Sequence, residues 1–372
     1  MKALCVPNTV FELYYLSAVG YLLKLAEPET ELRLLTTQRV FQKLNPELAK
    51  LYASINVVRF PGLVRRPWFD VAQSRAFVKQ LRELEPDCNI VLVGSFREYY
   101  ANIICRQFGD KSRLVALRMC DHECDRLCQS KKLLYPLYNN AFNRLFGAST
   151  LEYRWSSDST FNYAYWFKRD PYHRTICISD WGHGQKGSAY RLPPPFIALR
   201  HFFGINQESE DEKSVLVAGE RTPLFGMDDP SIQELYDRIL EFIKQRFTGY
   251  RLLFKPRPGL TDTERLKLEG FEMVSPEIPF EELCLRNRFS RVISVKSTAS
   301  KVAAFCGLPA YVVYPMFKLA PNLRTMLDAY QSDMRSVVKV SELDQLVEDP
   351  PVMRNTGLDE LSRSFWQAVA QQ

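Results

Sequence analysis

Short apolar runs alternate with stretches of helical periodicity through most of this chain. Before residue 120 the apolar runs are KALCV, ELRLLTT, INVVRF, NIVLVGS and RLVALRM, and the segments between them carry apolar residues at three- and four-residue spacing. One of these segments, residues 39–54, predicts a single helix. Strands that alternate with helices pair in parallel through right-handed crossovers. The pattern therefore predicts a doubly wound α/β sheet.

The alternation stops near residue 129 and resumes near residue 214. The intervening residues are rich in aromatic and basic side chains and end in an acidic stretch, after which SVLVAGE, YRLLFK, FEMVS, RVISV and PAYVVYP again predict strands. At 372 residues the chain is about twice the usual domain size. We therefore expect a Rossmann-like domain over 1–195, a linker over 196–213, a second Rossmann-like domain over 214–350, and a C-terminal helix within 351–372 that crosses back to the first domain.

The composition limits the compartment and the class of ligand. Nine cysteines are scattered along the chain and no secretory signal is recognised, so we expect reduced thiols in the cytoplasm. No stretch reaches the length of a membrane-spanning helix. The net charge of +6 suits acidic small ligands, or peripheral contact with the anionic inner face of the cell membrane. No nucleic-acid partner is expected.

Two polar loops follow predicted strands of the second half. In RLLFKPRPGL a strand ends in Lys255 and Arg257, which two prolines hold in a turn. In RVISVKSTASKVAAFCGLP a strand runs into Ser297 and Thr298, which precede a helix of small residues. Because ligands of parallel sheets collect at the carboxyl ends of strands, we expect the two loops to converge on one phosphate.

A third loop follows the first strand of the second half, in VLVAGERTPLFG. Its residues Gly219, Glu220 and Arg221 come where the backbone approaches a nucleotide or sugar in α/β folds. The loop lacks a full glycine fingerprint, so it is a weaker indication than the other two.

Three stretches of the second half together resemble the motifs of a known family. FKPRPG, PEIPFEELCL and VKSTASKVAAFCGLP are similar to the motifs of bacterial GT-B glycosyltransferases of the sialyltransferase and polysialyltransferase kind, and more distantly of capsule Kdo transferases. The resemblance covers roughly residues 214–316 by motif and the first domain by architecture only. It implies two Rossmann-like domains facing a cleft, with CMP of an activated acidic sugar in the second. By position, it implies phosphate binding by Lys255, Arg257, Ser297 and Thr298, and ribose or base contacts by Glu281 or Glu282.

One position departs from the family pattern. Arg257 stands where the family usually carries histidine. Arginine grips a phosphate through two parallel hydrogen bonds but stays charged, so it cannot act as a general acid. Phosphate binding is therefore expected to survive, whereas proton delivery by this residue is not.

The catalytic base is expected in the first domain. In the resembled enzymes it is a carboxylate after a strand, which implies Asp121 in RLVALRMCDHECD, with His122 as second choice. The loop ISDWGHGQKG offers Asp180 as an alternative, while His183 and Arg174 are expected to contact the acceptor. Neither a metal ion nor an organic cofactor is expected, because the phosphate-binding residues neutralise the leaving group and no Asp-x-Asp motif is present.

The expected function is transfer of a sialic acid or Kdo-class sugar from a CMP donor to a glycan or lipid-linked acceptor in surface polysaccharide or lipopolysaccharide synthesis. One alternative is a polyol-phosphate transferase of the teichoic-acid kind with a CDP donor, although such enzymes carry histidines in both domains and this chain has four in all. The other is a non-catalytic nucleotide- or carbohydrate-binding protein of the same fold, which the replacement of histidine by Arg257 favours.

Overall fold

The computed structural model of the protein describes most of the chain. The described residues are 1–61, 67–84, 87–94, 99–109, 111–118, 135–147, 151–155, 163–167, 174–177, 189–205, 212–220, 224–227, 229–257, 268–331, 336–349 and 357–370. The chain divides into two compact units: Met1–Ala198 together with Thr356–Gln372, and Leu199–Asn355.

Helices and strands alternate along the described residues. The helices are α1 (Val10–Ala26), α2 (Gln38–Phe41), α3 (Pro46–Ala49), α4 (Pro67–Leu84), α5 (Tyr99–Phe108), α6 (Tyr135–Leu145), α7 (Phe196–Phe202), α8 (Pro230–Arg246), α9 (Phe280–Arg286), α10 (Ala299–Phe305), α11 (Pro321–Tyr330) and α12 (Leu358–Val369). The strands are β1 (Lys2–Val6), β2 (Glu31–Thr36), β3 (Ser54–Val57), β4 (Ile90–Val93), β5 (Arg113–Arg118), β6 (Leu151–Trp155), β7 (Tyr163–Phe167), β8 (Arg174–Cys177), β9 (Ala189–Arg191), β10 (Glu212–Ala218), β11 (Arg251–Lys255), β12 (Glu272–Met273), β13 (Phe289–Ser294), β14 (Ala310–Val312) and β15 (Val337–Lys339).

The first unit contains a parallel sheet with the strand order β3-β2-β1-β4-β5-β8-β9. All four residues of β4 are buried, and so are all residues of β1 except the first, as expected of strands covered by helices on both faces. Helix α1 begins with a capping box, in which the hydroxyl of Thr9 accepts the N–H of Glu12 at 3.2 Å and the Glu12 carboxylate accepts the N–H of Thr9 at 3.3 Å. These local signals explain why the first strand and helix form where the sequence predicts them.

The second unit contains a parallel sheet with the strand order β12-β11-β10-β13-β14-β15. Its first strand in sequence is therefore central, with the next two strands on one side and the later ones on the other, which is the order of dinucleotide-binding Rossmann sheets. Helix α8 begins where Asp229 accepts the N–H of Ser231 at 2.9 Å and Pro230 takes the first helical position.

Helix α12 packs within the first unit although it follows the second in sequence. The Ser362 hydroxyl donates to the carbonyl of Leu22 in α1 at 2.9 Å, and the Arg113 guanidinium donates to the carbonyl of Val369 at 3.2 Å. Val369 is the last residue of α12, where a carbonyl has no partner within its own helix, so the Arg113 contact satisfies it. No helix in the described part of the chain is long and apolar enough to span a lipid bilayer.

The single helix predicted over 39–54 is wrong. The structure has two short helices there, α2 and α3, because Pro46 lacks an N–H and its ring cannot be accommodated in a helix interior. Pro46 instead opens α3, and the Asn45 side chain caps it by accepting the N–H of Glu47 at 2.8 Å.

A hairpin forms inside the segment to which the sequence assigned no elements. Strands β6 and β7 pair antiparallel, with Leu151 opposite Phe167 and Trp155 opposite Tyr163. Six of their ten residues are aromatic, and the seven residues between the strands exceed the usual length of a hairpin turn. The hairpin is therefore a feature that the local pattern did not reveal.

Candidate functional site

Three chain segments leave the second sheet at the same edge. Ala218 of β10 lies opposite Lys255 of β11 on one side and Ser294 of β13 on the other. The strands are parallel, so the loops after all three begin side by side, with the two outer strands about 10 Å apart. Because the chain order reverses between β10 and β13, this edge is the point where open α/β sheets bind ligands. We call it the switch-point edge.

Gly219 holds the loop after β10 against the neighbouring strand β11. Its N–H donates to the carbonyl of Lys255 at 2.8 Å, which continues the strand pairing by one residue. A Cβ atom at position 219 would lie 2.9 Å from the Phe254 ring and 3.0 Å from the Lys255 carbonyl oxygen. A side chain at position 219 would therefore press against β11, which is a packing reason for glycine; the predicted approach of this backbone to a nucleotide stays a prediction.

Glu220 connects the loop after β10 to the loop after β13. Its side chain is 5% exposed, and its Oε1 accepts the N–H of Lys296 at 3.2 Å. Burial raises the pKa of the Glu220 carboxyl, while the hydrogen bond from Lys296 and the charges of Lys296 and Arg257 lower it by less. The residues that act on Glu220 thus come from the loops after β13 and β11, so all three loops meet around one carboxyl group.

The two cations predicted at the end of β11, Lys255 and Arg257, differ in exposure. Arg257 is exposed, whereas Lys255 is 4% exposed. The charge of Lys255 lowers the pKa of the Glu281 carboxyl against the larger effect of burial, so these two side chains are neighbours. Of these two cations, Arg257 is the one available to a ligand, and Lys255 supplies positive charge from inside the unit.

Lys296 is a cation of this edge to which the sequence analysis gave no role, although it immediately precedes Ser297 in the quoted motif. Its side chain is half-buried, and its Nζ lies 4.8 Å from the centroid of the Phe225 ring. Phe225 has a φ of 58°, which is uncommon for a bulky residue, and its ring also contacts Phe317 edge-on at 5.2 Å. Such strained backbone is often found where a loop is shaped for a ligand.

The segment before α10 has part of the predicted capping geometry. The Ser297 hydroxyl accepts the N–H of Ala299 at 3.2 Å, while the exposed Thr298 stands at the cap position without a side-chain cap hydrogen bond. Ser300 is buried and shares hydrogen bonds with Ser294 and Tyr311, which holds α10 close to β13 and β14. The Thr298 hydroxyl thus makes no cap contact in the helix that it precedes.

Glu281 and Glu282 point to different partners. Glu281 is half-buried near Lys255, whereas the Glu282 carboxylate pairs with the Arg286 guanidinium at 3.1 Å on the same helix. The sequence left open which of the two glutamates contacts the nucleotide. Glu281 is the one that lies near the loop after β11.

A buried hydroxyl that the sequence analysis did not identify lies near Glu220. Tyr236 of α8 is 2% exposed, and its hydroxyl has no hydrogen-bond partner among the described residues. Burial raises the pKa of Tyr236, and the nearby charges of Glu220 and Asp237 raise it further. The signal in sequence was only a tyrosine on the buried face of an amphipathic helix, which is far more often a core residue than a site residue.

The predicted residues of the first domain fall mainly outside the described part of the chain. Asp121, His122, Asp180 and His183 lie there, as does Arg221 of the second domain. Arg174 begins β8, for which the backbone is described. Strands β5 and β8 are parallel neighbours, with Arg118 opposite Cys177. Asp121 therefore follows one strand in sequence and Asp180 follows its neighbour.

The sequence matches no protein-family model and no curated protein. Solved structures are similar over the whole chain. The UDP-GlcNAc 2-epimerase of Methanocaldococcus jannaschii superposes with a TM-score of 0.55 at 9% identity, covering 98% of this chain and 98% of that one. The glycotransferase of kitacinnamycin superposes with a TM-score of 0.50 at 11% identity, covering 99% and 90%. The likeness confirms the predicted fold class, two Rossmann-like domains of the GT-B kind.

Proposed function

We propose that the protein is a glycosyltransferase that binds the phosphate of a nucleotide-sugar donor at the switch-point edge. The observation that carries the proposal is the meeting of three loops around Glu220, which brings Arg257 and Lys296 to one place. An exposed guanidinium, an ammonium group and the hydroxyls of Ser297 and Thr298 are the donors that phosphate oxygens prefer. The fold shared with a glycotransferase supports the class of reaction.

In such a reaction the bond between the sugar and the donor phosphate breaks while an acceptor hydroxyl attacks the anomeric carbon. Arg257 and Lys296 would stabilise the negative charge that develops on the leaving phosphate. Asp121, or Asp180 as the alternative, would remove the proton of the acceptor hydroxyl. The parallel pairing of β5 with β8 supports either choice, because both carboxylates follow strands that end at the same edge of the first sheet.

We further propose that the donor is a CMP-activated acidic sugar of the sialic acid or Kdo class. The support is the similarity of FKPRPG and VKSTASKVAAFCGLP to the motifs of the sialyltransferase group. An acidic sugar is also consistent with a net charge of +6. Acceptors of this reaction class are glycans or lipid-linked sugars, for which peripheral contact with the inner face of the membrane would be suitable.

The test is a set of calorimetric titrations of the purified protein with CMP, CDP, UMP, UDP and GDP. We expect CMP to bind most tightly and GDP least. A protein that binds none of them would not be a nucleotide-sugar transferase. Tighter binding of CDP than of CMP, together with turnover of CDP-polyols, would favour the polyol-phosphate alternative. Binding without turnover of any donor would favour the non-catalytic one.

A second candidate is a UDP-GlcNAc 2-epimerase, which the fold shared with the Methanocaldococcus jannaschii enzyme supports. An epimerase needs no acceptor, so incubation with UDP-GlcNAc alone separates the two candidates. Formation of the 2-epimer, followed by proton NMR, would support the epimerase. Unchanged UDP-GlcNAc, together with CMP-selective binding, would support the transferase.

A further inference from the structure

Glu220 is a buried acid inside the set of groups proposed to hold the nucleotide phosphate. Its side chain is 5% exposed and accepts the N–H of Lys296 at 3.2 Å. The charged groups that act on it are Lys296 from the loop after β13 and Arg257 from the loop after β11. Tyr236 of α8 lies near enough for the charge of Glu220 to raise the Tyr236 pKa, and Asp237 is next along the same helix. A phosphate that uses these cations would therefore lie close to the Glu220 carboxyl.

An ionised Glu220 and a bound phosphate are poorly compatible. Two like charges that share a site disfavour ionisation of one of them. Burial already raises the pKa of Glu220, in spite of the Lys296 hydrogen bond and the two positive charges that lower it. A phosphate adds negative charge next to the carboxyl and occupies the cations that stabilise its ionised form. Both effects favour the protonated carboxyl when the ligand is bound.

We propose that the switch-point edge binds a nucleotide phosphate together with one proton, which Glu220 carries. This inference rests on the proposed function, because it concerns the same phosphate site. The proton comes from solvent when the nucleotide binds and returns to solvent when it leaves. The protonated carboxyl gives the site an exchangeable proton, which Arg257 cannot supply because its guanidinium stays charged. Affinity for the nucleotide consequently falls as the pH rises.

The test is calorimetry with CMP between about pH 5 and about pH 8, in two buffers of different ionisation enthalpy, for the wild type and Glu220→Gln. The amide keeps the shape of the side chain but has no titrating proton. We expect the wild type to take up a fraction of a proton more than the variant. Its affinity relative to the variant should fall with a limiting slope of about tenfold per pH unit.

The matched control is Glu269→Gln. Glu269 is exposed in the turn that precedes β12, at the amino-terminal edge of the same sheet, and we expect this variant to behave as the wild type. The titration of the CMP phosphate itself, with a pKa of about 6, is common to all three proteins and cancels in the comparison. Inorganic sulfate, which does not titrate in this range, tests proton uptake in the wild type without any variant.

The unfolding free energy of the free protein gives a second readout. A carboxyl whose pKa is raised on folding binds more protons in the folded state, so its contribution to stability is present below the unfolded pKa of about 4.3 and is lost as the pH rises through the folded pKa. The stability of the wild type relative to Glu220→Gln should therefore fall as the pH rises. Equal proton uptake by both proteins, or a stability difference independent of pH, would overturn the inference alone. Failure of the wild type to bind CMP, UMP or sulfate would overturn the proposed function with it.

Discussion

The shared phosphate site predicts that Arg257 and Lys296 act on the same ligand group. The perturbations are Arg257→Ala and Lys296→Met, singly and together. Methionine keeps an unbranched apolar stem against the Phe225 ring, which Lys296 approaches at 4.8 Å, and it leaves unchanged the backbone N–H that Glu220 accepts. The substitutions therefore remove the charges and preserve the loop connection.

The expected loss of CMP affinity follows from the hydrogen bonds that the two cations would make. Each would make a charge-assisted hydrogen bond to the phosphate, worth about 1.5–3 kcal/mol and hence roughly a 10- to 150-fold loss of CMP affinity on removal. Their strands lie about 10 Å apart across β10, so one phosphate between the two loops is within reach of both side chains. Residues that share one ligand group couple by about 0.5–3 kcal/mol, and the double variant should lose less than the sum of the single losses.

The assay is calorimetric titration with CMP at one fixed pH and ionic strength. Arg251→Ala is the matched control, because Arg251 begins the same strand and pairs with Glu272 at the opposite edge of the sheet. Six residues of extended chain separate it from Arg257 by about 20 Å, beyond the Debye length at 0.1 M salt. Strictly additive losses would refute the shared site, and an equal loss in the Arg251→Ala control would refute the location of the phosphate.

Two further predictions concern stability and turnover. Tyr236→Phe should raise the unfolding free energy in denaturant titrations by about 1 kcal/mol, because it removes a buried hydroxyl that has no partner among the described residues; a loss of stability would mean that the hydroxyl is satisfied. Asp121→Asn should reduce transfer by about 100-fold or more while CMP affinity changes little, because the proposed base acts on the acceptor. Persistent turnover in that variant, with loss of turnover in Asp180→Asn, would assign the base to the loop after β8.

Local sequence signals determined much of the fold. The runs KALCV and IVLV are apolar at nearly every position, and the strands they form are buried on both faces. Alternation of such runs with helical periodicity specifies parallel pairing, which needs no knowledge of particular contacts. Local signals failed where one residue interrupted a regular pattern, as Pro46 does between α2 and α3, and in the aromatic segment that forms the β6–β7 hairpin.

The site was predictable only in part. The sequence identified the cation-bearing loop after β11 and the polar segment before α10, because turn residues and strand ends are local features. It could not tell that Lys255 faces inward while Arg257 is exposed, since the burial of a charge depends on what packs over it. The nearness of Lys296 and Tyr236 to Glu220 likewise required the folded chain.

The hydrogen bond from Lys296 to Glu220 shows the difference most clearly. The two residues are 76 positions apart, and neither sequence context marks the other as a partner. They meet because β10 pairs with β13 rather than with the strand that follows β11, which brings the ends of two distant segments to neighbouring points of one edge. Sequence periodicity determines which residues form strands, whereas the order of the strands in the sheet determines which loops share a ligand. That order depends on contacts between residues far apart in the chain, and only the tertiary structure contains them.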